Sequence, residues 1–320
     1  MRRSDNILII GSIPPPIGGV TIHLQRLMAS LKQQSVDFAF YDYKKESLVS
    51  GFRKVLSSRT VHLHFSSKIL RLFVTLLLRM MNKQVIATFH GKYSFSHAID
   101  RTALKLLSHA LVLNEFSYHH ALARLPAKHG AIHLVSAFIP PTRDEEPLPA
   151  GIGAQIQKLA ADKALLACTN ATSYVEDHQG KDLYGIDFLL KVFTAQSNWA
   201  LVISDPSGQL QQRYAAFRTV RNILFISTPH PFVEVIKKSD VFIRATRSDG
   251  DSISVKEALF YDVKVVASDC VDRPEGCHVY LMENTESFVS KLREPKNHTV
   301  QEIKNGAAQM IDLYKKISIK

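Results

Sequence analysis

The chain has 320 residues, twice the roughly 150 of an average domain, so it has room for two domains with separate cores. Apolar residues make up 46% and charged residues 22%, which excludes disorder, collagen and coiled coil, and three cysteines (Cys168, Cys270, Cys277) exclude a disulfide framework and fit a reducing compartment. The net charge of +11 is unevenly spread: residues 1–150 hold 19 Lys+Arg against 9 Asp+Glu, and residues 151–320 hold 21 against 20, so the N-terminal half favours an anionic partner.

The apolar run Ile7–Ile10 behind Met1-Arg2-Arg3 is too short for a secretion signal, and no stretch reaches the ~18 uncharged apolar residues of a membrane span. Short apolar runs in the first half predict strands at Asn6–Gly11, Asp37–Tyr41, Thr60–Phe65, Gln84–Phe89, Ala110–Leu113 and Ala131–Val135. Four prolines crowd into FIPPTRDEEPLPAG, at Pro140, Pro141, Pro147 and Pro149, which marks a linker. Beyond it, strands are predicted at Ala164–Cys168, Ala200–Ser204, Ile223–Ile226, Val241–Ile243 and Lys264–Ala267. Helical patterns lie between most of these strands, which points to βαβ units and parallel sheets. The predicted fold class is α/β, with two Rossmann-like, doubly wound domains facing across a cleft. Their boundaries are 1–145, strongly basic, and 146–298, with a C-terminal helix over 299–320.

Parallel sheets bind ligands at the carboxyl ends of their strands, so the residues after each strand carry the functional argument. The first strand leads through Gly11-Ser12-Ile13-Pro14-Pro15-Pro16-Ile17-Gly18-Gly19-Val20 into a helix from about Thr21. Gly18 and Gly19 let a backbone approach an anion at a helix N-terminus, but the loop is not the GxGxxG of a dinucleotide site. The fourth strand ends in Thr88-Phe89-His90-Gly91, where His90 can reach a ligand. His62 and His64 alternate on one strand and share a face. Ten of the 14 histidines lie in the first half, but none has a metal-ligand spacing, and Cys270 and Cys277 are too far apart for a CxxC pair. Packing or surface roles are assigned to the histidines other than His90.

The most specific segment, Arg244-Ala-Thr-Arg-Ser-Asp249-Gly250-Asp251-Ser252-Ile253-Ser254-Val255-Lys256-Glu257, follows a strand and enters a helix near Ser252. The N–H groups of Ser252, Ile253 and Ser254 can cradle a diphosphate, with Arg244 or Arg247 offsetting its charge. Asp249 and Glu257 can face one ligand from different heights. Ser254-x-x-Glu257 also matches a capping box, which would make Glu257 a helix cap.

This segment resembles the acidic-x7-Glu motif of retaining glycosyltransferases with two Rossmann-like domains, family 4 of the carbohydrate-enzyme classification. TRSDGDSISVKEAL followed by VVASDCVDRPEG is similar to the subset used in bacterial surface-polysaccharide assembly. PPPIGGVTIHLQRL resembles the family's glycine loop and first helix, and TFHG its strand-end histidine. The resemblance implies that Glu257 binds the ribose hydroxyls of a nucleotide sugar and Asp249 the transferred sugar. It implies that His90 lies near the reacting carbon, and that Gly18, Gly19, Gly250, Ser252, Ile253 and Ser254 hold the diphosphate. The family's Arg and Lys-Gly are replaced by Cys168-Thr169-Asn170-Ala171 and Tyr184-Gly185, so Asn170, Lys181 and Arg244 are the candidate donor contacts, with Arg247 or Arg273 as further cations. The reading implies no cofactor and no metal, a UDP-linked sugar donor and a lipid-diphosphate-linked saccharide acceptor. An anionic membrane surface on the cytoplasmic side is the implied place of action.

Lys68–Lys83 supports that membrane expectation. On a helix, Lys68, Arg71, Thr75, Arg79, Asn82 and Lys83 fall on one basic stripe, and the remainder is apolar. Such a helix can lie on an anionic membrane, or it can pack its apolar face on the sheet and turn the stripe to solvent. A nucleotide-sugar 2-epimerase on the same scaffold and a non-catalytic nucleotide-sugar binder are the competing readings. No nucleic-acid module or aromatic–basic interleaving is present.

Overall fold

The computed structural model describes residues 7–15, 18–141, 147–297 and 303–318. The chain divides into two compact units, Met1–Thr142 with Lys304–Lys320, and Arg143–Ile303. The centre of the proline-rich segment, residues 142–146, lies outside the described residues, as do Pro16 and Ile17 of the glycine loop.

The first unit runs β1 (Ile7–Gly11), α1 (Gly19–Gln33), β2 (Phe38–Asp42), α2 (Leu48–Ser57), β3 (Thr60–Leu63), α3 (Lys68–Met80), β4 (Gln84–Phe89), α4 (Ala98–Leu106), β5 (His109–Val112), α5 (Glu115–Arg124) and β6 (Ile132–Leu134). Its six strands pair in parallel in the order β2-β1-β3-β4-β5-β6. The second unit runs α6 (Ala150–Ala160), β7 (Leu165–Asn170), α7 (Ile186–Thr194), β8 (Trp199–Ser204), α8 (Gln209–Arg213), β9 (Ile223–Ile226), α9 (Phe232–Ile236), β10 (Val241–Arg244), α10 (Ile253–Phe260), β11 (Lys264–Ser268), β12 (His278–Tyr280) and α11 (Thr285–Arg293). Its order is β12-β11-β10-β7-β8-β9, again all parallel. The last helix, α12 (Gly306–Ser318), belongs to the first unit, and the Gly306 N–H donates to Phe138 O at 2.7 Å.

Both sheets are buried on two faces, which is why their strands read as unbroken apolar runs such as ILII. In the first sheet Leu8, Ile10, Val61, Leu63, Val85 and Ala87 face a core that includes Val55 of α2 and Leu78 of α3. The strand order reverses between β1 and β3 in the first sheet and between β7 and β10 in the second. Those reversals open the ligand crevices of doubly wound sheets. β7 and β10 extend past their predicted ends, so Asn170 and Arg244 are the last residues of their strands. β12 has only three residues, His278–Tyr280, alternating buried, exposed and buried, too short for an apolar run to announce it.

The middle of the α3 stripe faces the protein interior, so the reading in which the apolar face packs on the sheet and the stripe faces solvent does not hold. Arg71 and Thr75 are fully buried, whereas Ile69, Phe73 and Met80 are exposed. The cause lies in α4 and the sheet. Arg71 Nη2 donates to Asp100 Oδ1 at 2.8 Å and Nη1 to Phe65 O at 3.0 Å, and the guanidinium lies over the Phe89 ring, 4.2 Å from its centre. A charge removed from water in this way must be paired, and here it is paired, hydrogen-bonded and stacked. Asp100→Ala strands that guanidinium and is expected to cost about 3 kcal/mol in a denaturant titration, while Arg71→Met with Asp100→Leu recovers most of the loss.

Candidate functional site

In the second unit the reversal between β7 and β10 brings a cationic cluster together. Arg244, ending β10, donates from Nη1 to both the backbone and side-chain oxygens of Asn170, at 3.3 and 3.2 Å. Its Nε donates to Asp249 Oδ2 at 2.9 Å, and its guanidinium lies 5.5 Å from the centre of the Tyr184 ring. Arg273, from the loop after β11, reaches the same Asp249 oxygen at 3.4 Å and is held by Ser268 and Thr246. Two guanidiniums thus share one carboxylate, and the group keeps an excess positive charge. Burial pushes the Asp249 carboxyl up, but Arg244 and Arg273 outweigh it and hold the group below the usual carboxylate range.

The entry to α10 lies against this cluster. Asn170 Nδ2 donates to Ser254 Oγ at 3.2 Å, and the Gly250 N–H donates to Asp249 Oδ1 at 3.1 Å. Ser252 is the N-cap, its Oγ accepting from the Val255 N–H, so Ile253 and Ser254 are the first two helical residues. Glu257 is then the fifth residue of α10 and cannot be the third-position partner of a capping box; it is buried, 5% exposed, on the helix. First-turn N–H groups have no acceptor within their own helix, so this turn sets free donors beside the Asn170 that holds Arg244. Gly185, just before α7, has φ +61° and packs so closely on Ala245 O that a side chain would collide with it. That contact lets the α7 entry approach the end of β10.

Lys181 is placed elsewhere: its Nζ pairs with Glu283 at 2.9 Å, and Arg247 pairs with the same carboxylate at 2.6 Å. Arg273, one of the further cations drawn from the sequence, is brought to the cluster, whereas Arg247 pairs with Glu283. The signal for Arg273 was a cation in the loop after a strand, the position that singled out Arg244.

The first unit gathers histidines at its own reversal. His64 follows β3 and His90 follows β4, and His64 Nδ1 lies 3.0 Å from His90 Nε2. His23 of α1 meets the His90 ring edge-on at 5.0 Å and hydrogen-bonds Ala137 O through Nδ1 at 2.9 Å. His62 bonds Tyr314 of α12 on one side and Thr88 Oγ1, at 2.8 Å, on the other. His23, His62 and His64 are buried and hydrogen-bonded in the same part of the unit as His90. The alternation His62-x-His64 and a histidine four residues past Gly19 were the available signals. Nitrogens of His23, His64 and His90 lie within 4.8 Å of one another, close enough to share a small cation, but the His64–His90 hydrogen bond requires a proton on one of them. Burial, reinforced by the neighbouring imidazoles, holds His64 and His90 well below the ordinary value. Burial lowers His23 to about 4 and His62 to about 3. The cluster is therefore neutral at pH 7 and offers single hydrogen bonds rather than charge. Gly18, in extended conformation, caps α1 beside it, its N–H donating to Thr21 Oγ1 at 3.0 Å. Asp42, ending β2, ties the loop after β1 through Ser12 and the Ile13 N–H.

No model of a known protein family matches the chain, and no curated protein does. Solved structures do match in fold. A glycosyltransferase from Rickettsia africae aligns over 98% of this chain and 99% of its own at a TM-score of 0.66 and 12% identity. HepE from Anabaena, in complex with UDP-glucose, aligns over 98% and 91% at 0.60 and 10% identity. The lipopolysaccharide outer core galactosyltransferase WaaB aligns over 90% and 89% at 0.57 and 13% identity. The chain has the two-sheet α/β fold of GT-B glycosyltransferases.

The histidines make stability depend on pH. Above about 6.5 they are neutral in both folded and unfolded chains. Below it the unfolded chain takes up protons that the folded cluster refuses, so stability falls by about 1.4 kcal/mol per pH unit for each histidine. The melting temperature is expected to drop steeply from pH 6.5 towards the folded values of about 4 and 3. His62→Asn should flatten that slope by about one proton, whatever it does to stability at pH 7.

Proposed function

We propose that this chain is a retaining glycosyltransferase that moves a sugar from a UDP-linked donor to a lipid-diphosphate-linked saccharide in surface-polysaccharide or lipopolysaccharide assembly. The observation that carries the reading is the cationic corner of Arg244, Arg273 and the α10 entry at the reversal of the second sheet. Breaking the bond between the anomeric carbon and the diphosphate leaves the electron pair on phosphate oxygen. Fixed N–H groups and guanidiniums stabilise that charge without reorganising. In this reading Ser252, Ile253 and Ser254 supply the N–H groups, Gly250 gives the turn that leads into them, and Arg244 with Arg273 supply the charge. Asn170 holds Arg244 in place, while Glu257 takes the ribose and Asp249 a hydroxyl of the sugar.

The two reversals divide the work by charge. The neutral imidazoles around His90 suit sugar hydroxyls, which need acceptors and donors but no counter-ion. The resemblance carried by Thr88-Phe89-His90-Gly91 gives His90 the part of the sugar next to its reacting carbon. The acceptor hydroxyl attacks that carbon from the face the diphosphate leaves, forming the new C–O bond and passing its proton to the departing diphosphate oxygen. Lys181, engaged with Glu283, has a supporting place at most. Because the two guanidiniums carry the leaving charge, no divalent cation is required in this reading. The lipid-linked acceptor places the work at the inner face of the cytoplasmic membrane.

A thermal-shift panel tests the donor site. UDP or its sugar is expected to raise stability by about 2.7 kcal/mol at a hundredfold excess over Kd, with or without a chelator. Glu257→Ala and Arg244→Gln are each expected to weaken binding at least about tenfold. No shift with any nucleotide sugar or diphosphate would refute the assignment.

A further inference from the structure

The chain between Ser47 and Ile99 contains eight Lys or Arg and no Asp or Glu. Within it α2 and α3 pack on the same face of the first sheet, contributing Val55 and Leu78 to one core. The Lys83 side chain joins them by donating to Leu56 O at 3.1 Å. The outward faces of both helices are apolar. On α2, Leu48, Val49, Phe52 and Leu56 are 85%, 60%, 57% and 56% exposed. On α3, Ile69, Phe73, Leu76, Leu77 and Met80 are 66%, 58%, 41%, 44% and 82% exposed. The spacings i, i+1, i+4, i+8 and i, i+4, i+7, i+8, i+11 put each set on one side of its helix. Of fourteen exposed large apolar side chains among the described residues, nine sit here. Soluble surfaces rarely gather apolar groups in this way without a partner.

We propose that this α2–α3 face is a membrane-docking platform that inserts its apolar rows into a bilayer rich in anionic lipid. Charge selects the occupant. Arg53, Lys68 and Arg79 are exposed on the same two helices, and the segment contains no carboxylate. A second copy of this face would bring like charges together, whereas a phospholipid surface offers apolar depth and phosphate at once. The burial of Arg71 with Asp100 is what frees the apolar side to face outward. The platform goes beyond the donor-site reading and rests on it only for the lipid-linked acceptor.

The test is co-sedimentation of the full chain with vesicles of phosphatidylcholine and phosphatidylglycerol in equal parts, against phosphatidylcholine alone. Binding to the anionic vesicles is expected, weakened by salt and at least about tenfold weaker on neutral ones. Phe52→Ser with Phe73→Ser should lower anionic-vesicle binding at least about tenfold while leaving the melting temperature and the UDP shift unchanged. Absent vesicle binding, or equal binding by the double variant, overturns the proposal. So does a concentration-dependent dimer that the same two substitutions abolish. Vesicle binding lost in the double variant supports the platform even where UDP causes no shift, an outcome that would remove only the donor-site reading.

Discussion

The chemistry of the second unit depends on how the Arg244 guanidinium is held. It closes β10, and Asn170 at the end of β7 receives it on two oxygens. Those strands are neighbours only because the strand order reverses there, so topology and charge placement are one constraint. Asp249 fixes Arg244 and Arg273 with a single carboxylate oxygen, which orients both cations without cancelling them. Without Asp249 two guanidiniums would face each other unpaired in a largely buried place, and the corner would lose its geometry before its charge. The same aspartate that the resemblance assigns to the sugar is therefore also the organiser of the cations.

The first unit solves a different problem with the same topology. Its reversal is lined by imidazoles instead of guanidiniums, and burial keeps them neutral. Arg71 lies near enough to help lower His90, yet its own charge is committed to Asp100 beneath α3. Tyr314 reaches His62 from α12, so the last helix of the chain contributes to the floor of the cluster. Fold stability and site electrostatics are coupled here: each imidazole that must stay unprotonated makes the folded state less tolerant of acid.

Much of the fold was legible because a sheet covered on both faces demands continuous apolar runs, and ILII, QVIATF and WALVIS satisfy that demand. β12 was not legible, since three residues with one exposed carry too little pattern. The local structure from Arg244 to Glu257 was legible because the sequence places a strand end, a glycine turn and a helix start in succession. The histidine cluster was not, because His23, His62 and His90 come from three elements that only the strand order brings together. The direction of the α3 stripe was not legible, for a specific reason. Periodicity locates a polar face but not its direction, and the buried carboxylate that reversed it, Asp100, lies on another helix.

The central claim is that the reversal between β7 and β10 binds the nucleotide diphosphate. Hydrogen exchange with and without UDP tests it most directly, because protection is read segment by segment. The account predicts slowed exchange in the segments around Asn170, Gly185 and Gly250–Val255, with no comparable change on α2 and α3. Protection confined to other segments, or none at saturating UDP, would contradict it.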